Sequence, residues 1–286
     1  MKEQILHNYS LKENEGFTAI KELVERELCD KYLLNDISDL DKVNQEWLNE
    51  KNIDLRENHK LMLRVENNLK TILRTLNIKA ELIQFPVNVR VLLAERNKQY
   101  RELDFNVDTL HCDHWSGAPK DSKNIYLYLR KSEKSPELLH FNYGEEDKQV
   151  IENYRGAYKE APRIRYQVHE SRSFAGLMQL FDCTVPHMIR RNSEGCTISI
   201  DFRIRNRTSV YDDDLQKNMD DWVKNKMTSL GVYWINSERI CSSMKEKIES
   251  ERKEMESYEW RYKQYREEYI NKFYATSRHP DKDRED

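Results

Sequence analysis

The 286-residue sequence predicts an α+β protein in which an antiparallel β-sandwich or barrel is flanked by helices on both sides. Three observations carry this prediction. Hydrophobic periodicity is helical as far as Leu76, an alternation of period two sets in after Ile78, and a charge-rich helical pattern resumes after Tyr211.

Between Gly16 and Leu76, Ile20, Val24 and Leu28 recur at four-residue steps, Trp47 and Leu48 follow, and Leu61, Leu63, Val65, Leu69, Ile72, Leu73 and Leu76 form a second run. Asn52 and Asp54 are the breakers between them, so two or three helices are expected. The stretch ELIQFPVNVRVLLAE reads as a strand with Val87, Val89 and Val91 on one face and Asn88 and Arg90 on the other. Further strands are expected over Asn124–Lys131, Arg163–Glu170 and Cys196–Arg205, separated by turn-like SGAPKDS and RNSEG. After Tyr211 the triple aspartate of DDDLQKNMDDWVKNKM suits a helix N-terminus. A long helix follows from about Ser237 to Tyr274. Its Cys241, Met244, Ile248, Met255, Tyr258, Tyr262, Tyr265 and Tyr269 fall on alternating three- and four-residue steps, interrupted only where Glu251 occupies the expected slot. The stripe fits a helix laid across its own domain better than a homodimer seam, because it has many tyrosines and few leucines. The tail SRHPDKDRED reads as disordered.

Forty-eight basic against 51 acidic residues leave a net charge of -3, which offers no broad attraction to nucleic acid. Neither a signal-peptide pattern nor an apolar run long enough to span a bilayer occurs in the sequence, and the five cysteines are scattered without a CxxC pair. A cytoplasmic protein with reduced thiols is therefore expected. The charged fraction of 35%, against about 25% in ordinary domains, suits long solvated helices.

The segment TLHCDHWSGAP carries His111 and Asp113 two residues apart, a spacing that puts both side chains on one face of an extended strand and turns Cys112 away. His187, in FDCTVPHMIRRNSEGCTISIDFR, is the best candidate for a third ligand. Two histidines and one carboxylate on one face of an octahedral metal leave three adjacent positions open, which suits a non-haem iron that binds a chelating co-substrate together with dioxygen. On the triplet alone, a buried structural histidine and a turn aspartate remain open. In Thr197–Arg203, Ile198, Ile200, Phe202 and Ile204 alternate with Thr197, Ser199, Asp201 and Arg203, so the second set faces the barrel interior. A guanidinium placed there calls for an anion: a ligand carboxylate or Asp201.

The motifs FPVNVRV (85–91), LHCDHWSG (110–117) and PHMIRRNSEGCTISIDFRI (186–204) resemble the double-stranded β-helix (jelly-roll, cupin-like) 2-oxoglutarate oxygenases of the phytanoyl-CoA-hydroxylase-like and streptomycin-biosynthesis-type branch. The resemblance covers about 120 residues, from 85 to 204, and leaves the flanking helices unmatched. It implies Fe(II) held by His111, Asp113 and His187, and 2-oxoglutarate converted to succinate and CO2 while a small molecule is hydroxylated, desaturated or epimerised. Asp113 argues against halogenation, because a carboxylate leaves no coordination position for a halide. The family's Arg-x-Ser is replaced here by Thr197-Ile198-Ser199. The implied 2-oxoglutarate anchor is therefore Arg203 with Ser199, then Arg90 with Asn88, then Arg130 or Lys131.

The expected organisation is a helical region over 1–80, a β-helix core over 81–210 and a helical region over 211–286. His114 is expected to be second to the ligands or solvent-facing, and His169 to be an ordinary strand histidine or to face substrate. Arg155, Lys159, Arg163, Arg165 and Arg172 make the segment before His187 basic, which suits an anionic small molecule or simply a solvated face. Two other functions compete: a non-catalytic cupin-like binding protein with a partner-recruiting C-terminal helix, and a Zn(II) hydrolase using the same ligands. The hydrolase lacks an HExxH spacing to supply its base.

Overall fold

The computed structural model describes residues 6–44, 47–48, 55, 58–94, 107–116, 118, 122–154, 158–169, 172–191, 194–205 and 233–236. The helices expected after Tyr211, the periodic stripe and the tail lie outside these residues.

Helix α1 (Glu15–Tyr32) starts where the Asn14 side chain accepts a hydrogen bond from the Phe17 N–H at 3.1 Å. It buries Phe17, Ile20, Leu23, Val24, Leu28 and Tyr32, one apolar stripe at helical spacing. Helix α2 (His59–Thr75) is capped in the same way by Asn58, which accepts from the Leu61 N–H at 3.0 Å. Its Leu61, Met62, Val65, Leu69, Ile72 and Leu73 join the α1 stripe in one core.

That core closes on the outer face of a large antiparallel sheet. The strands are β1 (Leu6–Ser10), β2 (Leu82–Phe85), β3 (Asn88–Leu93), β4 (Lys123–Arg130), β7 (Leu177–Asp182), β9 (Cys196–Arg205) and β10 (Tyr233–Asn236). They run in the order β1-β7-β4-β9-β2-β10, with β3 also paired to β9. Ile198, Ile200, Phe202 and Ile204 of β9 and Ile125, Leu127 and Leu129 of β4 lie in the helix-facing core, as the alternation requires. A smaller sheet, β6-β5-β8, contains β5 (Glu137–Tyr143), β6 (Tyr166–His169) and β8 (His187–Arg190). Leu92, Tyr126, Tyr128, Leu177 and Phe181 of the large sheet meet Leu138 and Ile189 of the small one in a second core, so the two sheets enclose an interior. The short helix α3 (Lys148–Asn153) packs Ile151 into a third cluster with Cys112 and Trp115.

Several elements differ from expectation. Residues 81–94 form two strands, because Pro86 interrupts the ladder; β2 and β3 then pair with successive parts of the ten-residue β9. Strands β1, inside the segment read as helical, and β10, beyond Tyr211, both belong to the large sheet. Strands β5, β7 and β8 were not expected either. Strand β8 has only four residues, β7 is buried at all but its last residue and so shows no alternation, and the apolar residues of β5 do not alternate strictly.

Candidate metal centre

His111 sits in an isolated bridge with His187: the His111 N–H donates to the His187 carbonyl at 3.0 Å and the His187 N–H to that of His111 at 2.8 Å. Cross-strand partners project to the same face, so this single bridge brings together two imidazoles separated by 76 positions in the chain. The expected extended triplet is corrected at its end, since Asp113 opens a 3₁₀ turn (Asp113–Ser116). The turn is held firmly. Cys112 is buried with its Sγ donating to the Thr184 carbonyl at 3.3 Å, and the Trp115 Nε1–H donates to Ile151 O at 2.9 Å. His114 is not solvent-facing: it is fully buried, with its ring nitrogens against the carbonyls of Cys183 and Ile151.

The three side chains converge. The donor atoms of His111, Asp113 and His187 all lie within 4.8 Å of one another. Asp113 Oδ1 is 3.6 Å from His111 Nε2 and 3.5 Å from His187 Nε2. These separations are about half an ångström above the roughly 3 Å at which donors with bonds of about 2.1 Å stand at right angles around a metal. Each imidazole is oriented from behind. His111 Nδ1 lies 2.7 Å from Thr109 O and His187 Nδ1 lies 2.8 Å from Val185 O, so Nδ1 carries the proton and Nε2 presents its lone pair to the site. Tyr158 stacks on His111 at 4.1 Å, and the Phe181 ring stands 5.2 Å from that of His187.

The electrostatics suit cation binding. Burial, reinforced by His187, pushes the His111 imidazole down to about 3, so it is a neutral ligand at pH 7. Burial alone would raise the Asp113 carboxyl, yet Arg203 and the two histidines hold it well below the usual carboxylate range. Arg203 donates to Asp113 Oδ2 from Nη2 at 2.7 Å and from Nε at 3.1 Å, which leaves Oδ1 toward the imidazoles. Its Nη1 donates to Gln84 Oε1 at 3.1 Å.

Arg203 therefore enters the site and pairs with Asp113, not with Asp201. Asp201 is taken by Arg90, through Nε and through Nη2 at 3.1 Å, and by Asn88 Nδ2 at 2.9 Å. Ser199 lies on the same interior row as Arg90, beside Tyr126. The remaining cations are placed elsewhere: Arg130 pairs with Asp41, and Lys131 donates to Ser135 O at 2.9 Å. Sequence reasoning missed Gln84, Asn124 and His140, which all face this interior. Gln84 accepts from Arg203 Nη1, Asn124 is the register neighbour of Arg203, and His140 is that of His187. Registering β2, β4 and β8 against their neighbours is the signal that finds them. Of the basic residues before His187, Arg163, Arg165 and Arg172 are exposed and Arg155 lies outside the described residues; His169 is half-buried opposite His140.

No family model and no curated protein matches the chain. Among solved structures it is similar to SnoK, a non-heme alpha-ketoglutarate-dependent carbocyclase from nogalamycin biosynthesis, with a TM-score of 0.36 and 13% identity over 75% of this chain and 87% of that one. It is also similar to an N-substituted L-amino acid dioxygenase from Burkholderia ambifaria AMMD, in complex with alpha-KG, with a TM-score of 0.30 and 14% identity over 56% of this chain and 68% of that one. A second structure of an N-substituted L-amino acid dioxygenase from Burkholderia ambifaria AMMD has a TM-score of 0.31 and 14% identity over 67% and 76% of the two chains. These likenesses are weak, so the functional reading rests on the chain's own donor set.

Proposed function

We propose that the protein is a non-haem Fe(II)- and 2-oxoglutarate-dependent oxygenase of the double-stranded β-helix type, acting on a small molecule by hydroxylation, desaturation or epimerisation. One observation carries the reading: two buried imidazoles and one carboxylate converge with lone pairs facing a common point, and among the described residues no other metal-ligating side chain joins them. Three protein ligands on one side of a metal leave adjacent positions for a chelating co-substrate and dioxygen, whereas a closed structural zinc site uses four. Bound there, iron with 2-oxoglutarate and dioxygen would supply oxidation of a C–H bond, with 2-oxoglutarate converted to succinate and CO2.

The chain's own residues would act as follows. His111, Asp113 and His187 hold the metal, and the carbonyls of Thr109 and Val185 fix the ring tautomers. Arg203 orients Asp113 and keeps it ionised. Arg203, Ser199, Arg90 and Asn88 form a strip along β9 and β3 to which we assign the carboxylates of 2-oxoglutarate. A guanidinium has five N–H donors, and the ion pairs leave some of them on Arg203 and Arg90 for a ligand. Tyr158 and Phe181 wall the imidazoles and keep water from them.

The test is oxygen-dependent turnover. Purified protein with Fe(II), ascorbate and 2-oxoglutarate should form succinate slowly even without added substrate, and His111→Ala, Asp113→Ala and His187→Ala should each abolish it. Succinate formation that persists in all three variants would dismiss the assignment.

A further inference from the structure

Two interior side chains beside the triad have no part in the chemistry proposed above. His140 on β5 is 1% exposed, its Cα stands opposite that of His187, and among the described residues neither of its ring nitrogens has a hydrogen-bond partner. Asn124 on β4 is 5% exposed, its Cα stands opposite that of Arg203, and neither its Nδ2 nor its Oδ1 has one either. Phe181 connects them. It is the cross-strand neighbour of Asn124, and its ring lies 4.4 Å from that of His140 and 5.2 Å from that of His187. Buried polar groups are almost always hydrogen-bonded, so two such side chains on facing sheets beside a metal-ligating triad point to a ligand that satisfies both.

We propose that His140 and Asn124 bind an uncharged hydroxyl or carboxamide group of the organic substrate beside the metal triad. This rests on the metal-site reading above. A neutral imidazole at His140 offers one N–H and one lone pair, and the Asn124 carboxamide offers an NH2 and a carbonyl. Each therefore presents a donor together with an acceptor. A carboxylate has acceptors only, and it would leave Asn124 Oδ1 and the bare imidazole nitrogen facing its charge. An ammonium fails in the opposite sense. Hydroxyl and carboxamide groups carry both functions and can satisfy the pair. The carboxylates of 2-oxoglutarate then belong to the cationic strip of Arg203 and Arg90 on β9 and β3. The expectation of an anionic substrate gives way to that of a neutral polar group at this end of the site.

The matched probes are isobutyramide and isobutyrate, which share one shape and differ in donor capacity. They are titrated by NMR, read on the histidine ring signals, into the full chain both without metal and with Zn(II) and saturating 2-oxoglutarate. Isobutyramide is expected to shift the His140 signals and to bind about tenfold more tightly than isobutyrate. His140→Phe and Asn124→Leu should each weaken isobutyramide about tenfold, His140→Gln should retain most of its binding, and 2-oxoglutarate affinity should stay within about twofold. Equal binding of acid and amide, unchanged isobutyramide binding in the variants, or a parallel loss of 2-oxoglutarate would each overturn the inference. Should His140→Phe fail to fold, Asn124→Leu and the amide-to-acid comparison on the unsubstituted chain still decide it. Failure of Zn(II) or 2-oxoglutarate to bind the unsubstituted chain strikes the metal-site reading instead, and the metal-free titration still scores this subsite.

Discussion

At Asp113 two roles are divided between two oxygens: Oδ2 accepts both hydrogen bonds from Arg203, and Oδ1 faces His111 and His187. Removing the guanidinium leaves a largely buried carboxylate without its counter-charge. Arg203→Met is therefore expected to lower metal affinity by about 10–100-fold and to destabilise the metal-free fold by about 3–5 kcal/mol. Calorimetric metal titration and chemical denaturation check the two effects, and a variant with unchanged metal affinity would remove Arg203 from the site. The same residues set a pH dependence. The folded protein holds His111 at about 3, below its ordinary 6.5, so between these values the unfolded chain binds the extra proton. Asp113 acts in the same direction, its contribution being present above the usual carboxylate value and lost as pH falls further. The metal-free protein should thus lose stability from pH 6.5 downward, with a share on the order of 3–5 kcal/mol from His111. His111→Phe should flatten that slope in urea denaturation between pH 7 and 4; an unchanged slope would contradict the assignment.

Strands differ in how plainly they can be read. In β9 the apolar residues face the helices and the polar ones the interior, so a period-two pattern marks both the strand and the inward side of Arg203. Strands β7 and β8 give no such signal, because β7 is buried on both faces and β8 has only four residues; β5, ELLHFNY, places its apolar residues without a strict alternation, so His140 is missed with it. The HxD triplet is legible as a pair of nearby ligands. Its bend at Asp113 is not, since tertiary hydrogen bonds from Cys112 and Trp115 set that turn. One turn is set by backbone conformation. Gly176 has φ +86 and its N–H donates to Tyr128 O at 2.8 Å, while a Cβ there would stand 3.3 Å from the Lys12 N. Gly176→Ala should therefore cost about 1–2 kcal/mol, read as a lowered melting temperature. No change in melting would show that the turn relaxes freely. In the helix-facing core, Ile200→Ala should cost about 2–5 kcal/mol by leaving a cavity at a fully buried position.

Across the whole molecule, the site lies where the two sheets face each other. The small sheet contributes His187 and its bridge to His111, the large sheet contributes Arg203, and the Asp113–Arg203 ion pair ties the HxD turn to β9. The helices α1 and α2 pack against the opposite face of the large sheet, away from the ligands, which agrees with motifs confined to 85–204. The mixed helical and antiparallel architecture was legible from the change of period near Ile78. The β1 and β10 pairings were not, because they join residues far apart in the chain. No described helix is long and apolar enough to cross a membrane. The central claim is that His111, Asp113 and His187 hold an Fe(II) that still has room for a bidentate 2-oxo acid. Anaerobic addition of Fe(II) and then 2-oxoglutarate to the full chain, followed in the visible spectrum, tests it most directly. The expected result is a weak metal-to-ligand charge-transfer band that saturates at one 2-oxoglutarate per chain and is absent from His187→Ala. A chain that binds Fe(II) without developing the band, or a band unchanged in His187→Ala, would contradict the claim.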